Sequence, residues 1–183
     1  MDLAEKKGQI WNESIEYRDR ITRKRVRRMT TEGVYSNTMG YHTGIGWSGD
    51  GENILLNMGR AGKSALVTCH VPTGNLKQIT DAYDGVTVGS YKGQGAGHHF
   101  HNKNAVLYYR IEDRTARVVD VDTLEEKIVA ENLNDIGPLS ADEKHFVSIE
   151  IGNEKDDRAK AIYTQLPYRF IRNSLENGSQ EVI

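Results

Sequence analysis

Residues 98–101 read "HHFH" in a chain of 183 residues. Histidine is the side chain best suited to move a proton or hold a metal near neutral pH. Side chains alternate along an extended segment, so His99 and His101 fall on one face and His98 on the other. Histidines at i and i+2 can share a cation, but a complete site needs further ligands from elsewhere. The segment therefore reads as a polar strand and turn with partly exposed imidazoles. His42, in "GYHTGIG", and Lys92, in "SYKGQGAG", are the substrate-binding candidates. Both lie in glycine-rich segments expected to form inner strands, and a lysine there would attract a carboxylate. "VTCHV" sets Cys69 beside His70, but neighbours on a strand point to opposite faces. No Ser/His/Asp or Cys/His nucleophile set stands out.

Two further motifs resolve into structure. "NMGRAGKS" ends like a phosphate-binding loop, yet Asn57 stands where that motif needs glycine. The apolar run "ALVTCHV" follows where a helix would be required, so a hairpin turn is expected. "RDRITRKRVRR" carries Arg18, Arg20, Arg23, Lys24, Arg25, Arg27 and Arg28 against Asp19. It lacks interleaved aromatic platforms for bases and reads as a solvated edge strand.

The elements that would position such residues are repeated. "SGDGENILLN", "FHNKNAVLYY" and "SADEKHFVSI" each place a polar turn before a β-favouring run. In the first two units a second run follows, "SALVTCHV" and "TARVVDV". Each then passes a turn, "PTGN" or "DTLE", into a short third strand. Segments before the polar turns, "SNTMGYHTGIG", "TVGSYKGQGAG" and "NLNDIGPL", would supply a fourth, inner strand. Four strands recurring every ~40–50 residues mark a β-propeller blade. The fold class expected is all-β, a partial propeller of about three four-stranded antiparallel blades. The blade-like units fall at about 34–81, 86–131 and 133–183, after an N-terminal extension of residues 1–16. The charged stretch from Asp156 to Leu175 has no matching turn and is expected to be a helical or irregular insertion. Ile54, Leu56, Leu66, Val106, Tyr108, Val118 and Phe146 are expected to pack between blades.

Composition narrows the partners. A net charge of −2 gives no general case for nucleic acid. No apolar run approaches the ~20 residues of a membrane span. A single cysteine, and an N-terminus without the apolar core of a signal peptide, point to a reducing cytoplasm.

From Tyr17 to Ile151 the chain resembles the N-terminal part of the oligogalacturonide lyase family. The residues that carry the resemblance are "RDRITRKRVRRMT", "GWSGDGENILLNMG", "VPTGNLKQIT" and "VVDVDTLEEKIVAENL" followed by "LSADEKHFVSIEI". One departure is Thr22-Arg23, where the family has Thr-Gly. The resemblance implies a seven-bladed propeller that cleaves short galacturonate oligomers by β-elimination, with a divalent cation, typically manganese. It also implies that the metal ligands and the catalytic histidine and arginine come from later blades. No residue of this chain inherits those roles, and this portion is expected to bind no metal and to be inactive alone. The rival readings are a non-catalytic propeller module and the propeller of a peptidase.

Overall fold

Repeated phrases in the sequence become repeated turns in space. The computed structural model describes residues 2–32, 35–38, 46–84, 98–101, 104–110, 112–151 and 168–183. Among them every regular element is a strand. The strands are β1 (Ile10–Asn12), β2 (Ile15–Arg18), β3 (Arg25–Arg28), β4 (Tyr35–Thr38), β5 (Asn53–Arg60) and β6 (Lys63–His70). They continue with β7 (Asn75–Gln78), β8 (Tyr83–Asp84), β9 (His98–His101), β10 (Ala105–Arg110), β11 (Thr115–Asp120) and β12 (Glu126–Ala130). The last are β13 (Ile136–Leu139), β14 (His145–Ile151), β15 (Tyr168–Ser174) and β16 (Gln180–Val182).

Each blade is an antiparallel meander. The first sheet runs β1-β7-β6-β5-β4, with β8 added to β6; the second runs β12-β11-β10-β9 and the third β13-β14-β15-β16. β2 and β3 make a separate two-stranded ribbon. Ile10–Asn12, inside the stretch expected as an extension, is a strand of the first sheet and pairs with β7.

Two local devices write these meanders. In the first, Ser48 Oγ donates to Asp50 Oδ1 (2.6 Å) and accepts from the Asn53 amide (2.9 Å), while Asp50 Oδ1 also accepts from the Glu52 amide. Ser140, Asp142, His145 and Lys144 repeat that pattern at 2.6, 3.0 and 3.1 Å. Short polar side chains that bond their own backbone two residues on favour such turns. In the second, an asparagine-like acceptor caps a hairpin. Asp19 Oδ1 accepts from the Ile21 and Thr22 amides and the Thr22 hydroxyl; Asp120 Oδ1 does so for Asp122 and Thr123. Ser174 serves the same place before β16, receiving the amides of Glu176 and Asn177.

That last turn overturns part of the expectation for Asp156–Leu175. Tyr168–Ser174 is a strand that pairs along β14 from Ile151 back to His145. Its charges mislead because each face of the strand carries one: Arg169 shares a face with Ile171 and Arg172 with Phe170. Residues 156–167 of the expected insertion lie outside the described residues.

β5 and β6 are joined by Ala61 and Gly62, both with left-handed backbone (φ 48° and 78°). This is the two-residue hairpin expected in place of a phosphate loop. Asparagine adopts the left-handed region more readily than alanine, so Ala61→Asn is expected to stabilise the chain by roughly 0.5–1 kcal/mol. A higher urea midpoint at unchanged slope would show it.

The core lies between sheets. Leu55, Leu66 and Ile79 of the first sheet meet Phe100, Val106, Tyr108, Val119 and Val121 of the second. The other face of the second sheet places Leu107, Ala116 and Val118 against Ile136, Phe146 and Leu175 of the third unit. Alternation along β10 and β11 sorts each residue to its side. Leu66, Val106, Tyr108, Val118 and Phe146 thus pack between sheets as expected. Leu56 belongs instead to the opposite face of the first sheet, with Ile54 packed against it. There Leu3 and Trp11 from the N-terminal segment cover Met58, Val67 and Leu76. Arg60 ends this face, buried, paired with Glu13 and 5.4 Å from the Trp11 ring centroid.

Candidate functional site

The three sheets present β4, β9 and β13 as corresponding edge strands. β9 and β13 also approach each other: His99 Nε2 lies 3.1 Å from the Gly137 carbonyl oxygen, which it reaches as the donor. Gly137 suits the crowding, since a Cβ there would meet the Val147 carbonyl at 3.3 Å.

The edge strand of the second sheet is His98–His101, whereas the sequence placed an inner strand at 87–97 and a turn here. Residues 87–97 are outside the described set. The histidines are correspondingly more buried than expected. His99 is fully buried, His98 is 7% exposed, and only His101 is partly open. Pairing explains the difference, because β9 bonds along β10 from His98↔Tyr108 to His101↔Ala105. Phe100 gives the segment its anchor, facing the first sheet in the same cluster as Val106. His98 shares that parity; His99 and His101 turn toward the third unit.

Each imidazole has a distinct environment. His98 Nε2 is buried with no hydrogen-bond partner. Burial, with the neighbouring His99, pulls its pKa down to about 4, so it stays neutral. His101 Nδ1 sits 3.5 Å from Glu143 Oε2. Burial lowers its pKa, and the Glu143 carboxylate only partly offsets that.

A charged seam closes the outer rim between the first and second sheets. Glu126 accepts from Arg117 Nη1 at 2.6 Å and from Lys7 Nζ at 3.0 Å. Burial pushes the Glu126 carboxyl up, but Arg117, Lys7 and Tyr108 outweigh it and hold it below its usual range. Burial, then Glu126, pushes the Tyr108 phenol up. Lys77 Nζ adds bonds to the carbonyls of Val121 and Asp122, at 2.6 and 3.0 Å. These contacts fasten one sheet to the next and leave no group poised toward a substrate.

His42 and Lys92 lie outside the described residues. Cys69 is buried, and burial raises its thiol pKa to about 11, which suits a core residue rather than a nucleophile. Among the described residues no group of three or more His, Cys, Asp or Glu could hold a metal ion. The histidines of β9 do not fit one either: His99 is committed to a carbonyl, and His98 points to the other face. What the sequence missed was β9 itself. The signal was present, since "HHFH" leads into "AVLYY" across a short polar break.

No protein-family model matches the sequence, and no curated protein sequence does. Solved structures do match. An oligogalacturonate lyase from Vibrio parahaemolyticus superposes over 96% of this chain and 48% of its own, with a TM-score of 0.70 and 20% identity. An oligogalacturonate lyase in complex with manganese superposes over 97% of this chain and 48% of its own, at TM-score 0.71 and 21% identity. TolB from Acinetobacter baumannii gives a TM-score of 0.57 at 14% identity, over 92% of this chain and 37% of that one. At these identities the likeness is one of fold: the three sheets are blades of a β-propeller. The chain spans about half the length of the matched lyases.

Proposed function

We propose that this chain belongs to an oligogalacturonate lyase-like propeller that cleaves short galacturonate oligomers by β-elimination. One observation carries the reading. The overlay takes in 97% of the chain at TM-score 0.71 for a lyase, against 92% at 0.57 for TolB.

In such an elimination a base removes the proton on C5, beside the carboxylate. The C–H electron pair becomes the C4=C5 double bond, and the C4–O bond breaks toward the leaving sugar, which takes up a proton. The step needs a base, a group that stabilises the developing charge, and a leaving-group proton in one rigid constellation. The described residues assemble no such set, so the proposal assigns them the scaffold role. β9 and β13 are fixed at a blade edge by the His99–Gly137 contact and by the packed cores on either side. The described residues do not fit a metal.

The second reading, a propeller that binds a sugar or protein without turnover, draws on that missing constellation. One assay separates the two. Residues 1–183 with manganese and digalacturonate are expected to give no rise in ultraviolet absorbance from unsaturated product. The same residues joined to a propeller-length chain are expected to give turnover. Turnover by residues 1–183 would put the base within them, and none from the longer chain would leave the binding module.

A further inference from the structure

The ribbon of β2 and β3 belongs to no blade, and its charge is at odds with the rest of the chain. Residues 15–28 hold seven Lys and Arg against Glu16 and Asp19, a net charge of +5 in a chain whose total is −2. The base of the ribbon is fixed, since Arg27 bonds Glu16 and the carbonyls of Val71 and Pro72. The tip is different.

Two local choices at the tip are unfavourable. Arg18 and Arg25 stand directly opposite each other across the strands, where like charges destabilise a sheet. Arg25 Nη1 is 4.0 Å from Glu16 Oε2, a carboxylate whose other oxygen is taken by Arg27, and Arg18 donates to the Arg23 carbonyl. Arg23 also occupies a left-handed position (φ 61°), the place that Gly74 and Gly178 take in two sister turns and Leu124 (φ 62°) in a third. Asp19, the one acid in the turn, is spent on holding its shape. The side chains of Arg20, Arg23 and Lys24 are exposed and make no hydrogen bond or ion pair with the described residues. A facing arginine pair beside three exposed cations is a local arrangement that a bound anion would relieve.

We propose that this tip is a docking site for an acidic oligosaccharide. One carboxylate lies between Arg18 and Arg25 and removes their repulsion; carboxylates further along the oligomer meet Arg20, Arg23 and Lys24. Guanidinium forks match carboxylates two bonds at a time, and a uronate oligomer carries one carboxylate per ring. The ligand's identity rests on the uronate reading above. Nucleic acid fits less well, because Tyr17, the one aromatic side chain of the ribbon, alternates to the face away from Arg18. A bilayer would find one apolar residue at the apex, Ile21, 91% exposed, which is a marginal anchor.

Calorimetric titration of the chain with tetragalacturonate tests this, with its fully methyl-esterified form as the neutral control. Binding is expected to weaken with salt and to be absent for the ester. Arg18→Gln with Arg25→Gln is expected to raise Kd about tenfold or more, with a thermal midpoint unchanged or raised because the repulsive pair is gone. Arg20→Gln with Arg23→Gly, on the exposed turn, is expected to weaken binding several-fold while raising the midpoint. Unchanged affinity in both variants, or tighter binding to duplex DNA or phosphatidylserine vesicles, would overturn the assignment. Affinity lost with the arginines in a chain that never cleaves would remove the lyase reading alone. Cleavage with wild-type affinity in both variants would remove the docking site alone.

Discussion

Phe146→Ala is expected to destabilise the chain by about 3–5 kcal/mol, a large part of the ~5–15 kcal/mol that holds a typical domain. Phe146 is fully buried, and its ring fills the space among Leu107, Val118, Ile136 and Leu175, where the second sheet meets the third unit. Truncation removes an aromatic surface and leaves a cavity that two rigid sheets cannot close. Phe170 is the internal control. It lies on the adjacent strand, paired beside Ile149, on the opposite face, and is 43% exposed. Phe170→Ala is expected to cost about 1 kcal/mol or less. Urea unfolding of both variants measures the contrast. Should Phe146→Ala not fold, Phe146→Leu is expected to lose about 1.5 kcal/mol or less. Equal losses at 146 and 170 would mean that the third sheet does not pack on the second through this face.

Between pH 6.5 and about 4 the chain is expected to lose roughly 3 kcal/mol through His98. The folded imidazole is buried and stays neutral until about pH 4, while the unfolded one takes a proton near its ordinary value of 6.5. A depressed histidine pKa means that the unfolded state binds more protons throughout this window. Stability therefore falls as the pH falls, and is fully retained above 6.5. His101 acts in the same direction, its pKa also lowered by burial, so His101→Gln should remove a share of the slope. Asp120, Asp142 and Glu126, whose pKa values are lowered, keep their contributions until lower pH. Unfolding free energies of wild type and His98→Leu at steps from pH 7 to 4.5 decide the matter. The variant should show a much flatter profile. Parallel profiles would mean that His98 reaches solvent.

The parts of this protein legible in its sequence are those whose cause is local. An aspartate that bonds the amide two residues on, and a serine that bonds the one five residues on, carry their turn wherever they stand, so "SGDGEN" and "SADEKH" announce the same hairpin. Alternation between faces is equally local, and it sorted Val106 from Leu107 without knowledge of partners. Partners were decided by packing. Nothing within "HHFH" tells that it pairs with β10 and is buried between sheets, because that burial comes from residues on either side of it in space. Nothing within "YRFIRNS" tells that it returns to β14, since its place between β14 and β16 is defined only by the assembled sheet. Which face of the first sheet Leu56 joins depended on where Leu3 and Trp11 came to rest. Turns are set by contacts a few residues long, whereas burial is set by contacts between distant segments, and a histidine's chemistry follows its burial.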